Sequence, residues 1–319
     1  MRFQVFRFII EGPAQIISLC TNFGKDNTSL IMKITQIFKE HEVTISLEVF
    51  PPKTDDKYAA VEEAARQIAA LHPAFMSVTY GAGGGTSRHT ASIAADLQNK
   101  YSTPVLAHLT CVSSTKEHVQ DMIQVYRENG IQNIMALRGD IPKEGRTVFD
   151  YDHASQLIYD IKSADADFCV GAACYPEGHV ECASPSEDIR HLKEKVEAGA
   201  DFLTTQMFFD NNMLYNFLYR IREAGIQVPV LPGIMPITNK KQVARSVALS
   251  GSTIPPRFRM MVDRFGDDPA KMKQAGIIYA TEQIVDLISN GVTHIHVYSM
   301  NKPDIAAGIM ASLSAILDN

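Results

Sequence analysis

Eight short apolar runs, each followed by a segment of helical periodicity, constrain this chain more than any other feature. The runs are VTISLEVF (43–50), FMSVTY (75–80), PVLAHLT (104–110), IQNIMALR (131–138), FCVGAACY (168–175), FLTTQMFF (202–209), VPVLPGIM (228–235) and THIHVYS (293–299). Runs of this length, rich in Val, Ile and Phe, suit strands covered on both faces. The segments between them read as amphipathic helices. Ser114 and Glu117 make a capping-box pattern, Val119, Met122, Ile123 and Tyr126 form one apolar stripe, and Gly130 supplies a stop. Ser184, Glu187 and Gly199 repeat the scheme. Leu214, Phe217, Leu218 and Ile221 make another stripe, closed by Gly225.

Eight strand–helix units predict an α/β protein, a (β/α)8 TIM barrel in a single domain; a doubly wound sheet is the alternative. Such barrels take about 250 residues, close to the span from Val43 to Asn319. The stretch from Gly251 to Ala270, with Pro255–Pro256, reads as a decorated connection before the last helix and strand. Residues 1–31 lack the strand–helix rhythm. Glu11, Gly12 and Pro13 break their apolar run too early for a signal peptide, and Met32 offers an alternative start. The expected organisation is an N-terminal extension over 1–31, outside the fold, and a barrel over 32–319.

Composition narrows the function. With 45% hydrophobic residues the chain can bury a substantial core. A net charge of −6 and the lack of a long basic run argue against nucleic acid as the main partner. No apolar stretch approaches the length of a membrane span. Five cysteines, at 20, 111, 169, 174 and 182, show no C-x-x-C spacing. Cys169, Cys174 and Cys182 are conceivable metal ligands, but ordinary thiols of a reducing cytoplasm are the better reading, and no metal is expected.

Gly81, Gly83, Gly84 and Gly85 follow the second run, as in a nucleotide cradle. The dinucleotide fingerprint needs a third glycine where this chain has Thr86, and there is no Lys-Ser/Thr pair for a P-loop. In a barrel the same loop follows the second strand. There its glycines allow positive φ and close approach of a flat ligand, and Thr86 or Ser87 would cap the next helix.

Barrel chemistry sits at the C-terminal ends of the strands. Polar residues fall there repeatedly: Glu48, Thr79 and Tyr80, His108 and Thr110, Arg138-Gly139-Asp140, Tyr175, Glu177 and His179, Gln206, Pro232-Gly233 and Tyr298. His108 alone would read as a hydrogen-bonded core histidine, and Arg138 with Asp140 as a structural ion pair. Glu48 is harder to dismiss. A carboxylate within an apolar strand is costly unless partnered or protonated, and burial would suit it to general-acid work. No Ser-His-Asp order or metal-ligand cluster is evident. The inventory suits a flat organic cofactor and an acid.

In these residues the sequence resembles the methylenetetrahydrofolate reductase family. SLEVFPPK, SVTYGAGG, AHLTC, ALRGD, YPEGH, TTQMFFD and LPGIMP occur in the family's order between Ser46 and Pro236. The resemblance implies a barrel holding FAD non-covalently. It implies reduction of 5,10-methylenetetrahydrofolate to 5-methyltetrahydrofolate by NAD(P)H in ping-pong order, supplying methyl groups for methionine synthesis. By position, Glu48 resembles the general acid that opens the folate's bridging ring to an iminium, and Asp140 a residue that contacts folate and tunes the flavin. Thr79, Tyr80, Ala82, His108, Arg138, Gly139, Asp140, Ala154, Tyr175 and His179 match cofactor positions, joined by Asp188, His191 and Lys195 on the following helix. Thr79 would lie near the nicotinamide, and Lys195 near the diphosphate. Gln206 and Gln242 resemble substrate-contacting amides, with Tyr298 and Lys302 completing the substrate set. A cytoplasmic homo-oligomer is expected. The alternatives are a flavin-bearing subunit fed by a partner protein, or a binding module without turnover.

The chain departs from the family pattern at three places. Ser246 stands where a stacking Phe is expected, Lys302 where an Arg is common, and His153 for a Tyr before Ala154. These bear on donor choice and folate affinity more than on the reaction. The S-adenosylmethionine-binding regulatory domain of eukaryotic members is expected to be lacking, for want of room after the barrel.

Overall fold

Every one of the eight runs forms a strand, and one of them forms two. The computed structural model describes residues 32–52, 54–80, 87–141 and 145–317; the extension over 1–31 and the glycine loop over 81–86, with Ala82, lie outside the described residues. The strands are β1 (Thr44–Val49), β2 (Met76–Val78), β3 (Val105–Thr110), β4 (Asn133–Leu137), β5 (Cys169–Cys174), β6 (Phe202–Thr205), β7 (Val230–Leu231), β8 (Gly233–Ile234) and β9 (His294–Val297). All pairs are parallel, in the order β7-β6-β5-β4-β3-β2-β1-β9-β8.

The two ends of that order are halves of the single run 228–235, so the sheet closes on itself. Pro232 is the reason for the split. It has no N–H to give a ladder, but its carbonyl still accepts from the His296 N–H at 2.9 Å. β7 therefore pairs with β6, and β8 with β9. The result is a (β/α)8 barrel.

Eleven helices surround it among the described residues: α1 (Ile34–Glu40), α2 (Tyr58–Ala69), α3 (Ser87–Tyr101), α4 (Lys116–Glu128), α5 (Ala154–Ala164), α6 (Pro185–Glu197), α7 (Asn211–Glu223), α8 (Lys240–Ser250), α9 (Pro256–Phe265), α10 (Pro269–Ser289) and α11 (Pro303–Leu317). None is long and apolar enough to cross a membrane. The stretch 251–270, read as a connection, contains α9. The sequence also misplaced one cap. Thr115, not Ser114, caps α4, its hydroxyl accepting from His118 N–H, while Ser114 donates to Thr110 O. At α6 the reading holds: Ser184 accepts from Glu187 N–H, and Glu187 reaches back to Ala183 N–H.

The helical stripes of α4 and α7 are buried against the outer faces of the strands. Inside the barrel the other side chains of each strand form rows of period two. The lower positions are mostly apolar, with Thr44, Asn133 and His294 as hydrogen-bonded exceptions. Phe75, Leu106, Met135, Cys169, Phe202 and Leu231 cluster with Ile34 and Ile37, so α1 plugs the barrel floor. Asn133 ties that plug down, accepting from Ile34 N–H and donating to Met32 O and Val105 O. At Gly171 a Cβ would lie 2.6 Å from the Phe202 ring; the glycine makes room for that ring.

Candidate active site

The β2, β3 and β6 inner rows turn from apolar to polar on their way to the C-terminal mouth, and those of β1 and β9 are polar throughout. β1 carries Thr44, Ser46 and Glu48; the β2 row runs Phe75, Ser77, Thr79; β3 runs Leu106, His108, Thr110; the β6 row runs Phe202, Thr204, Gln206; and the β9 row runs His294, His296, Tyr298. Their upper members line a cavity of about 1470 Å³ at the mouth. Pockets for one drug-sized ligand take roughly 300–1,000 Å³, so this one has room for more than a single small molecule.

Glu48 stands at the deep end of this cavity with its side chain 15% exposed. It is partnered, as a carboxylate there must be. Ser77 Oγ donates to its Oε2 at 3.4 Å, and that oxygen lies 3.9 Å from His108 Nε2 and 3.8 Å from His296 Nε2. Burial pushes the His108 imidazole down to about 4, against the opposing pull of Glu48, so the ring is neutral at pH 7. Its carbonyl accepts from Tyr126 OH at 2.7 Å. Tyr298 OH donates to Thr205 O at 2.6 Å, directly over Gly233, where a Cβ would lie 2.5 Å from that hydroxyl.

The outer part of the cavity is built by the loops after β4 and β5 and by α5 and α6. Arg138 does not pair with Asp140, as the sequence suggested. It makes a bidentate pair with Glu181, at 2.6 and 3.0 Å, while Asp140 lies exposed at the rim. Gly139, with φ +85°, sits against Thr110 and Val112. Tyr175 packs edge-on to His179 at 4.5 Å. Asp188, in the first turn of α6, accepts from the His179 N–H and the Cys182 thiol. Burial holds the Lys195 ammonium below its usual range, with nearby Asp188 opposing the shift; the ammonium donates to Ala173 O at 2.9 Å and lies over the Tyr175 ring. His191 stacks on His153 at 5.4 Å, beside Ala154 at the start of α5.

The cavity thus brings together Glu48, Thr79, Tyr80, His108, Arg138, Gly139, Asp140, Ala154, Tyr175, His179, Asp188, His191, Lys195, Gln206 and Tyr298. It does not include Gln242 or Lys302. Gln242 is on α8, its side-chain oxygen accepting from Thr238 N–H; Lys302 lies in the turn before α11. Ser246 is also absent from the wall; it is buried on α8, its carbonyl accepting from Ser250. Among the described residues no three His, Cys, Asp or Glu side chains are grouped to hold a metal.

Sequence reasoning missed His296, Ser77 and Glu181. The signal for His296 was present in THIHVYS, whose alternation puts His294, His296 and Tyr298 on one face. Glu181 had no local signal, because its partner is 43 positions away.

The wall is polar, with Glu48, Asp140, Glu181, Glu187, Asp188 and Glu194 beside two basic side chains, and it leaves buried hydroxyls for a ligand to meet. Arg138, paired with Glu181, and Lys195, whose ammonium burial holds below its usual range, are the Arg and Lys side chains of the wall among the described residues. Thr204 Oγ1 and Ser113 Oγ are buried in the wall with no hydrogen-bond partner there, a debt that a ligand would settle.

Comparison with known proteins agrees with this fold. The family model for methylenetetrahydrofolate reductase matches residues 33–314. The 5,10-methylenetetrahydrofolate reductase of Escherichia coli K12 is 34% identical over 85% of this chain and 91% of its own length. Methylenetetrahydrofolate reductase (NADH) 1 of Arabidopsis thaliana is 34% identical over 90% of this chain, which spans about half, 51%, of that longer protein. A solved structure from Clostridium thermocellum, described as an uncharacterized protein that binds two copies of 5-methyl-5,6,7,8-tetrahydrofolic acid, shares the fold. Its TM-score is 0.62 at 12% identity, over 89% of this chain and all of that one. With its barrel, its mouth-facing carboxylate and a family match over nearly the whole described structure, the chain belongs to the methylenetetrahydrofolate reductase family.

Proposed function

We propose that the chain reduces 5,10-methylenetetrahydrofolate to 5-methyltetrahydrofolate with electrons from NAD(P)H, in the cytoplasm, as a source of methyl groups for methionine synthesis. The observation that carries this reading is Glu48: a partnered carboxylate at the deep end of a large cavity in a chain of this family. A bound FAD would supply the two-electron carrier between the substrates. Lys195 would offset its diphosphate charge, joined by Arg138 where the guanidinium exchanges Glu181 for phosphate, with Tyr80, Gly139, Ala154, Tyr175, His179, Asp188 and His191 along its length.

The residues themselves have separable jobs. Glu48 protonates the bridging nitrogen of the folate. That C–N bond breaks with its electron pair left on nitrogen, and the remaining carbon becomes an iminium ready for hydride. Gln206 has its Oε1 held by Met207 N–H at 2.9 Å, which leaves its amide N–H groups to orient the substrate. Asp140, at the rim, places a negative charge beside the pteridine. Gln242 and Lys302 need a movement of α8 or of the turn before α11 to reach it.

The test is anaerobic stopped-flow absorbance on the purified chain. NADH or NADPH should bleach the bound chromophore, methylenetetrahydrofolate should restore it, and heat should release FAD. Bleaching only when a partner protein is added would make the chain the folate-reducing subunit of a larger system. No restoration by the folate, or release of FMN, would overturn the proposal.

A further inference from the structure

Behind Glu48 a chain of polar side chains continues through Ser77 and His296 to Ser46. Ser46 is fully buried on β1, and its hydroxyl has two contacts: Ile295 O at 3.1 Å and His296 Nδ1 at 2.8 Å. A hydroxyl has one proton and a carbonyl can only accept. Both contacts are satisfied together only when Ser46 donates to Ile295 O and accepts from an Nδ1–H on His296. The ring is thereby fixed, and its Nε2 faces Ser77 Oγ at 3.3 Å, which in turn faces Glu48 at 3.4 Å.

Ser77 also has one proton, so this network has two fully bonded states. In one, Glu48 is ionised and accepts from Ser77, and a cationic His296 donates from Nε2. In the other, Glu48 is protonated and donates to Ser77, which donates to a neutral His296. Each state holds one shared proton and no net charge, so neither leaves an isolated charge in the barrel.

We propose that Glu48 and His296 form one proton-holding unit bridged by Ser77, with Ser46 as the residue that positions the ring. The inference rests on the folate-reducing reading above. From the state with cationic His296, the Nε2–H bond breaks toward Ser77, the Ser77 proton passes to the Glu48 carboxylate, and the Glu48 O–H bond then breaks as the folate nitrogen takes that proton; from the other state only the last of these steps occurs. The turnover ends with Glu48 ionised and His296 neutral, and one proton from water through the cavity mouth restores the unit. The titratable groups facing His296 are Glu48 on β1, His108 on β3 and Tyr298 on its own strand. Phe75 covers one ring face at 6.2 Å, and Tyr298 meets the ring edge-on at 5.2 Å. His108 stays neutral through burial, so it does not compete for the proton.

Two measurements test this. The first is 15N NMR of the histidine rings in the full chain, with His296 assigned by its absence in His296→Gln. The expected spectrum shows Nδ1 protonated and Nε2 sharing a proton, with that sharing lost in Glu48→Gln. A bare Nδ1 with a protonated Nε2 would overturn the proposal, whatever the reaction. The second is the pH profile of chromophore restoration by methylenetetrahydrofolate. In His296→Gln it should slow by about 10-fold or more, with its alkaline limb moved to lower pH because Glu48 then holds the proton alone. Bleaching by NAD(P)H on the same sample reports folding and cofactor binding. An unchanged profile would remove His296 from the unit. If His296→Gln does not fold, Ser46→Ala serves: it should release the ring to the other tautomer and slow restoration, while Ser46→Thr keeps both. If the wild-type chain fails to react with the folate at all, the functional reading falls and the ring-nitrogen spectrum still decides the proton unit.

Discussion

The floor and the mouth of this barrel are built from the same strands, a few residues apart, under opposite rules. At the floor the inner side chains are mainly apolar and packed: Phe202 meets Phe38 edge-on at 5.8 Å, and Ile34 and Ile37 close the bottom. At the mouth, buried hydroxyls at Ser113 and Thr204 go without partners, and a carboxylate lies among imidazoles. Dense apolar packing is worth several kcal/mol per large side chain. Unpaired buried polar groups cost roughly 1–3 kcal/mol each. The floor therefore offsets what the mouth costs, and substitutions at the two ends should fail in different ways: mouth changes should cost chemistry, and floor changes stability.

The sharpest break in the comparison is Glu48→Gln. Gln keeps the size and a hydrogen bond but cannot supply a proton. Chromophore bleaching by NAD(P)H should stay within a few-fold of wild type, while restoration by methylenetetrahydrofolate falls roughly 100- to 10,000-fold. Equal losses in both half-reactions, read by single-turnover absorbance, would mean that Glu48 braces the barrel instead.

Phe202→Ala is the floor's counterpart. Removing a fully buried ring against Gly171, Met135 and Phe38 should cost about 3–5 kcal/mol in urea unfolding. The protein that remains folded should react with wild-type rate constants. A slowed half-reaction at unchanged stability would show that floor and mouth are not separable.

Between these extremes lies the pH dependence of stability, which should come from the mouth. The folded chain holds His108 neutral down to about 4, whereas an unfolded chain binds that proton near 6.5. The unfolded state thus binds more protons in this window. Stability from this group is complete above about pH 6.5 and is lost as pH falls toward 4, by about 3 kcal/mol in total. The difference between wild type and His108→Gln, followed by urea unfolding from pH 7.5 to 4.5, isolates it. Parallel curves would show that His108 takes up its proton without resistance.

The same contrast explains what the sequence could and could not disclose. All eight strands were legible because burial on both faces leaves continuous apolar runs. Glu48 was legible because a carboxylate within an apolar run has no packing reason to be there, whereas His108 and Arg138 stood out only by falling at strand ends, where a core histidine and a structural ion pair read equally well. The α1 plug was not: ITQIFKE has too few turns for a clear stripe, and its partners, Phe75 and Phe202, come from distant strands. Nor was the Arg138–Glu181 pair, since loop conformation rather than spacing makes it. The break at Pro232 was visible as a proline, but only closure of the sheet shows that its two sides pair with different neighbours.

The smallest expected effect tests the rim, where local pattern misled. Ser114 and Thr115 are adjacent, and either could cap α4 by composition. The chain direction decides between them: Thr115 has extended backbone, φ −77° and ψ 157°, immediately before the first helical residue, and its hydroxyl reaches His118 N–H at 3.1 Å. Ser114 is one residue too early and turns back to Thr110 O at 3.4 Å. A lost N-cap costs about 1 kcal/mol, whereas a long hydroxyl–carbonyl contact at a partly open site contributes less. Thr115→Ala should therefore lower the unfolding midpoint measurably, and Ser114→Ala by a smaller amount. Both residues line the cavity, so both variants should be measured with and without bound cofactor. A larger loss for Ser114→Ala in the cofactor-free chain would return the cap to the position that the capping-box pattern assigned. A larger loss only in the loaded chain would instead place Ser114 in contact with the ligand, on the side of the comparison where stability yields to function.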